Sequence, residues 1–320
     1  MIATTTTLEA IQRAQAGLAG RVHRTHLLTS RTLGELTDTR LYLKAECLQK
    51  TGSFKVRGVL NRLAELTPEE RARGVIGISA GNHAQALAWG AALDGVRCTV
   101  VMPAGASPAK AAASRGYGAE VVLHGTVHEA FARMDELRAE HGFVVVHPFG
   151  DAAVIAGHGT LGLEIVSDLP EIDAVVVPVG GGGLLAGVAA AVKALRPEAR
   201  VIGVEPEGAA GLTAALAAGR VVVLEGVSTI ADGLAAPMTS ELALAHARTL
   251  VDDVVTIPDG VIAEAVRVLL ERAKLLAEPA GAAGVAALLS GAVRLPPGAR
   301  VAVVVSGGNL DLHRLKELLP

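Results

Sequence analysis

Nine short apolar runs limit what this chain can fold into: RLYLKAE (40–46), GVIGISA (74–80), RCTVVMP (97–103), AEVVLH (119–124), GFVVVHP (142–148), AVVVPV (174–179), RVIGVEP (200–206), VDDVVTI (251–257) and RVAVVVS (300–306). Between most of them lie Ala/Leu-rich stretches with helical spacing, such as VHEAFARMDELRAEH and LLAGVAAAVKAL. A strand that is apolar along its whole length needs cover on both faces, and the intervening helices supply it. The expected fold class is therefore α/β, with mostly parallel open sheets and helices on both faces. The runs crowd together over 74–148, which predicts a small unit there, inserted into a larger one made of 1–73 and 149–320.

Hydrophobic residues make up 51% of the 320 but aromatics only 2%, so Ala, Val and Leu must build the interior. The net charge is −3 and there is no basic run, which argues against a nucleic-acid partner. Cys47 and Cys98 are far apart and match no metal spacing, as expected for a reduced, cytoplasmic setting. The N-terminal MIATTTTLEAIQRAQ has no apolar core and does not resemble a signal peptide. Ala174–Val192 is uncharged over nineteen residues, almost a membrane span. Pro178 and four consecutive glycines interrupt it, which predicts a strand, a loop and a helix instead.

Ligands of open α/β sheets bind beyond the carboxyl ends of strands. Three such ends carry unusual loops: SAGNHAQ (79–85), GGGG (180–183) and SGGN (306–309). Consecutive glycine amides can converge on a phosphate at a helix start. The P-loop reading fails because Leu184 and Leu185 follow the glycines where Lys and Ser/Thr are needed. A dinucleotide reading survives on spacing: Gly181, Gly183 and Ala186 follow a strand, and Glu205 ends the next one. KTGSFKVRG (50–58) adds Lys55 on the apolar side of a helix start, either a snorkelling surface residue or a desolvated nucleophile.

Taken together, KTGSFKVRG, SAGNHAQ, VIAGHGTLGLEI, PVGGGGLLAG, GVEPEGA, STIADGL, AEPAGA and VVSGGN resemble the serine/threonine dehydratase family, from about residue 20 to 315. These are pyridoxal-phosphate enzymes of the tryptophan-synthase-β-like fold (fold type II), close to serine racemases. The resemblance implies that the larger unit binds the cofactor and that the smaller one is mobile. It implies that Lys55, not Lys50, forms the imine with the cofactor, with Phe54 packed on the ring. Gly180, Gly181, Gly182 and Gly183 with Leu184 would hold the phosphate, Asn82 the ring oxygen, and Ser306 the pyridine nitrogen. Ser79, Ala80, Asn82 and His83 would meet the substrate. Substrate amine displaces Lys55, which becomes the base at Cα; the β-hydroxyl leaves, and the product hydrolyses to a 2-oxo acid and ammonia.

The implied activity is thus an L-threonine/L-serine ammonia-lyase, with a serine racemase or hydroxyaspartate dehydratase as the alternative within the family. A nicotinamide-dependent dehydrogenase and a noncatalytic amino-acid-binding protein are the alternatives outside it. Racemases of the family carry serine where Ala80 stands, whereas dehydratases usually have alanine. The racemase cation site pairs a glutamate, here Glu205, with an aspartate six positions on, here Gly211; carbonyls near Ala209 could serve only a monovalent ion. His158 stands where the family commonly has glutamine, and Gly150 where dehydratases often have aspartate. The resemblance further implies a homodimer, no membrane association and no C-terminal regulatory domain.

Overall fold

All nine apolar runs become strands in the computed structural model, which describes residues 5–318. They are β2 (Arg40–Ala45), β3 (Val75–Ile78), β4 (Cys98–Met102), β5 (Glu120–Leu123), β6 (Val144–Val145), β7 (Ala174–Pro178), β8 (Arg200–Pro206), β9 (Asp253–Ile257) and β10 (Arg300–Val305). The one strand not anticipated is β1 (Leu27–Thr29), three residues that pair antiparallel with β2. So short a piece carries no periodicity of its own; the edge of β2 recruits it.

The strands form two sheets. One has the order β1-β2-β10-β7-β8-β9 and the other β5-β4-β3-β6. Every pairing other than β1 with β2 is parallel. Alternate residues of the first sheet feed different cores, as the twofold strand period requires. Val176, Ile202, Val301 and Val303 pack with the helices Asp259–Val268 and Pro279–Leu289. Val175, Val177, Val201 and Val304 pack with the helices Ala152–Asp168 and Gly183–Leu195. The four-stranded sheet repeats this on a smaller scale, with the helix Asn82–Leu93 on one face and Val127–His141 on the other.

The helix Lys55–Ala64 does not follow the first sheet's packing. Its Val56, Val59 and Leu63 join Ala84, Leu87 and Val100 in a core of the second sheet. The helix therefore lies along the seam between the two sheets. Ala174–Val192 resolves into β7, the glycine loop and a helix, and none of the described helices is long and apolar enough to cross a membrane.

Parallel strands send their carboxyl ends the same way. β2, β10 and β7 are neighbours, so the segments that follow them (50–55, 306–309 and 180–183) emerge side by side. The end of β3 contributes Ser79–Asn82 from the second sheet.

Candidate active site

Lys55 opens its helix, and its Nζ donates to the Pro148 carbonyl at 2.7 Å. Burial lowers its pKa from 10.5 to about 8, because the charged amine loses its hydration. Lys50, by contrast, sets its ammonium 5.4 Å from the Trp89 ring. The turn before Lys55 is tied to the end of β10: Ser53 bridges Gly307, and the Phe54 amide donates to the Ser306 carbonyl at 3.1 Å. Thr51 takes a left-handed φ of 56° and Gly52 one of 72° to make that approach. The Phe54 ring lies 5.1 Å from the Lys55 ammonium and meets the His158 ring edge-on at 4.7 Å.

Two residues beyond Lys55, Arg57 anchors the helix from within. Its guanidinium takes Glu46 through Nε (2.9 Å) and Nη2 (2.8 Å), and Glu164 through Nη1 (2.7 Å) and Nη2 (2.9 Å). Lys44 completes the set with 2.6 Å to Glu164 and 2.8 Å to the Thr25 carbonyl. Two cations and two anions are thus balanced, and all four are buried. The Arg57 charge holds Glu46 below the usual carboxylate range despite its burial. Sequence reasoning missed this network, because its members lie 120 positions apart (Lys44 and Glu164) and meet only in the fold.

The loop after β3 brings Ser79 and Asn82 to the seam. The Ser79 hydroxyl accepts from the Gly81 amide at 3.1 Å, and Asn82 begins the helix. His83 turns inward: its ring Nε2 meets the Val146 carbonyl at 2.8 Å, and burial drops its pKa to about 3. The imidazole is neutral and faces the core, so only the His83 amide at the helix start remains for an anion. The Asn82 amide reaches the Glu278 carboxyl and accepts from Asn309 Nδ2 at 2.8 Å. Glu278 is buried, which pushes its pKa up to about 7. It lies in the AEPAGA motif but was assigned no role from sequence, since nothing local marks its contact with Asn82, 196 positions away.

The glycine loop is closed to side chains. A Cβ on Gly181 would fall 2.3 Å from the Phe149 ring, and Gly182 holds a φ of 87°. The Gly181 carbonyl accepts from Thr239 at 3.2 Å, and Leu184 is buried against Phe54 in one core. Bare backbone at the start of a thirteen-residue helix is a cradle for a phosphate. The desolvated amine of Lys55 suits an aldehyde, and the neutral hydroxyl of Ser306, immediately after β10, suits an unprotonated ring nitrogen. The residues fit pyridoxal phosphate.

Glu205 is engaged by its own neighbours. Its carboxylate accepts from the Leu212 amide (2.7 Å), the Thr213 amide (2.8 Å) and the Thr213 hydroxyl (2.7 Å), capping the helix Gly211–Ala218. This capping accounts for the buried carboxylate, and the described residues contain no group of three or more His, Cys, Asp or Glu that could hold a metal ion. Gly150 gains a reason: its amide donates to His147 Nδ1 at 2.7 Å, and a Cβ there would press on His147 and Ser240. His158 is fully buried with neither ring nitrogen hydrogen-bonded, and burial lowers its pKa well below the ordinary value.

The family described as pyridoxal-phosphate dependent enzyme matches residues 18–307. An L-threonine ammonia-lyase of Thermotoga maritima is 47% identical over 98% of this chain and 78% of its own length. The crystal structure of a threonine deaminase from T.th. superposes with a TM-score of 0.90 at 44% identity, covering 95% of this chain and 99% of the other. Maize serine racemase superposes with a TM-score of 0.94 at 36% identity, covering 98% and 97%. The lysine turn, the glycine loop and the serine that follows β10 all fall within the matched span, and the chain belongs to the family of pyridoxal-phosphate-dependent enzymes.

Proposed function

We propose that this chain is an ammonia-lyase that converts L-threonine and L-serine to 2-oxobutanoate or pyruvate and ammonia. The observation that carries the reading is the Lys55 amine, desolvated to a pKa of about 8, on a segment that emerges beside the strand-end serine and, one strand further on, the glycine loop. Two of the relatives described above are named for deamination of threonine, which supports the substrate class.

In this reading Gly180–Gly183 and Leu184 hold the phosphate, Asn82 faces the ring oxygen, Ser306 faces the ring nitrogen, and Phe54 flanks the ring. Bound there, pyridoxal phosphate supplies a conjugated ring that takes up the electron pair released at Cα. Lys55 holds the Cα proton; with a pKa of about 8, a useful share of free amine exists near neutral pH. Ser79 and the amides that open the helix Asn82–Leu93 orient the substrate carboxylate. The Ser306 hydroxyl carries no charge, so departure of the β-hydroxyl, not accumulation of charge on the ring, relieves the developing pair. Phe149 packs against Gly181 and Gly183 of the glycine loop.

The likeness to a serine racemase sustains a second reading. Against it stands Ala80, whose methyl group cannot return a proton to the face of Cα opposite Lys55. The proposal includes a small mobile domain (74–148), a large domain (1–73 and 149–320) and a homodimer. A reducing cytoplasmic setting is supported by two free, buried cysteines. The test is to incubate the holoenzyme with L-threonine, L-serine and D-serine and resolve the products by chiral chromatography. Ammonia with 2-oxobutanoate or pyruvate, and little D-serine, is expected; abundant D-serine overturns the lyase reading. Ala80→Ser should gain D-serine formation.

A further inference from the structure

Amide orientation in the site follows from satisfaction of donors and acceptors. Asn309 Nδ2 spends both its hydrogens, one on the Thr51 carbonyl (2.7 Å) and one on Asn82 Oδ1 (2.8 Å). A carbonyl can only accept, so the Thr51 oxygen decides which way the Asn309 amide faces, and Asn309 in turn decides which way Asn82 faces. Asn82 must then present Nδ2 to Glu278, which takes one of its two hydrogens. The second hydrogen is the only one left for a ligand.

Glu278 is held as firmly as the amides it serves. It stands at the N-cap position of the helix Pro279–Leu289 with its side chain free of the helix amides, its own amide donates to the Gly307 carbonyl at 3.0 Å, and its Oε1 lies 2.3 Å from where a Cβ on Gly307 would be. Ser306, directly before that glycine, follows the last residue of β10. A single buried carboxyl therefore touches both the Asn82 amide and the segment carrying Ser306.

We propose that Glu278 is a positioning residue for the reaction: through Asn82 it fixes the N–H that meets the cofactor's ring oxygen, and its charge sets the proton affinity of that oxygen's surroundings. The inference rests on the reading of Asn82 as the ring-oxygen partner. Its charged surroundings come from every side. Lys110 and Asp232 act on its carboxyl, which in turn acts on the Cys47 thiol, and Asp311 and Arg314 line the same small cavity. Burial, with Asp232, favours the acid, while Lys110 and the Asn82 hydrogen bond favour the carboxylate; burial outweighs them and pushes the pKa up to about 7. Near neutral pH the carboxyl thus alternates between a charged acceptor for Asn82 and a neutral one.

A negative charge beside the cofactor's ring oxygen would favour the protonated form of its imine with Lys55. Removing that charge should lower the pH midpoint of the holoenzyme's visible band. Glu278→Gln keeps a carbonyl acceptor for Asn82 and deletes the charge, so the midpoint should fall by about one unit or more. Its kcat should drop about tenfold with KM changed less than about threefold, the mark of an interaction used after binding. Glu278→Asp, which keeps the charge but retracts it from Asn82, should instead weaken pyridoxal-phosphate binding by the apoprotein about tenfold, read by fluorescence titration. Asn82→Ala separates the two readings. If Asn82→Ala moves the visible band while Glu278→Gln and Glu278→Asp match the wild type in band midpoint, cofactor affinity and kcat, the inference about Glu278 is wrong. If Asn82→Ala leaves the band untouched, the ring-oxygen assignment fails and takes the inference with it.

Discussion

Glu164→Gln provides a direct measure of how firmly the Lys55 helix is anchored. The glutamate accepts two bonds from Arg57 and one from Lys44, at 2.6–2.9 Å, and all three side chains are buried. The substitution keeps shape but leaves two buried cations facing Glu46 alone. Stripping a partner from a buried ion pair costs about 3–5 kcal/mol, far more than a surface pair is worth. An unfolding entropy of about 2.1 cal/mol/K per residue gives about 0.7 kcal/mol/K for 320 residues, so Tm should fall by about 5–7 °C. Differential scanning calorimetry of the apoprotein reads this without interference from the cofactor. Adding Lys44→Met to Glu164→Gln restores one cation to one anion, and the double variant should recover at least half of the loss. The reasoning is refuted if Glu164→Gln melts within about 1 °C of the wild type, or if the two substitutions lower Tm additively.

Lys55→Ala should abolish turnover and leave the fold intact; borohydride-trapped cofactor on a peptide holding Lys50 and not Lys55 would refute the assignment. Ser306→Asp should slow elimination and bring in a long-wavelength absorption with substrate, because a carboxylate favours a protonated ring nitrogen; an unchanged spectrum and rate would remove Ser306 from that role. Gly181→Ala should raise the cofactor's Kd at least tenfold, since its Cβ would enter the Phe149 ring. Stability should decline in acid, gently at first and steeply below about pH 4.5. His83, at about 3 when folded against 6.5, binds its proton only on unfolding, and His158 acts the same way, so both cost stability as pH falls through 6.5. Glu278, at about 7 against 4.5, binds its proton in the folded state and offsets one of them between 7 and 4.5. A urea midpoint that stays flat down to pH 4 would contradict this.

The fold was readable because its strands are buried on both faces. A run such as AVVVPV has nowhere to go except the middle of a covered parallel sheet, and it became β7, between β10 and β8. β1 escaped notice for the same physical reason in reverse: as a three-residue edge strand it is held by β2, and its own sequence carries no pattern. The seam was half visible. Crowded strands between 74 and 148 indicated a second sheet, but not that the Lys55–Ala64 helix, from outside that interval, would share its core. Packing, and not chain order, decides where that helix belongs.

The chemistry was readable where a loop's own composition dictates it and hidden where partners are distant. Four glycines need no partner to imply an anion cradle, and the structure leaves them no room for side chains. Glu205, by contrast, was singled out without any view of its neighbours, and in the fold its carboxylate caps the start of the helix Gly211–Ala218. Glu278 was silent although it touches the site more closely than Glu205, because its partner Asn82 arrives from the other sheet. Both outcomes have one cause. A buried carboxylate must find donors, and which donors it finds is a property of packing. Burial moves the proton affinities of Glu278 and Lys55 toward neutrality, whereas it moves those of His83 and His158 away from it. Sequence motifs can say which residues meet a cofactor; the seam between the two sheets sets the protonation state in which they meet it.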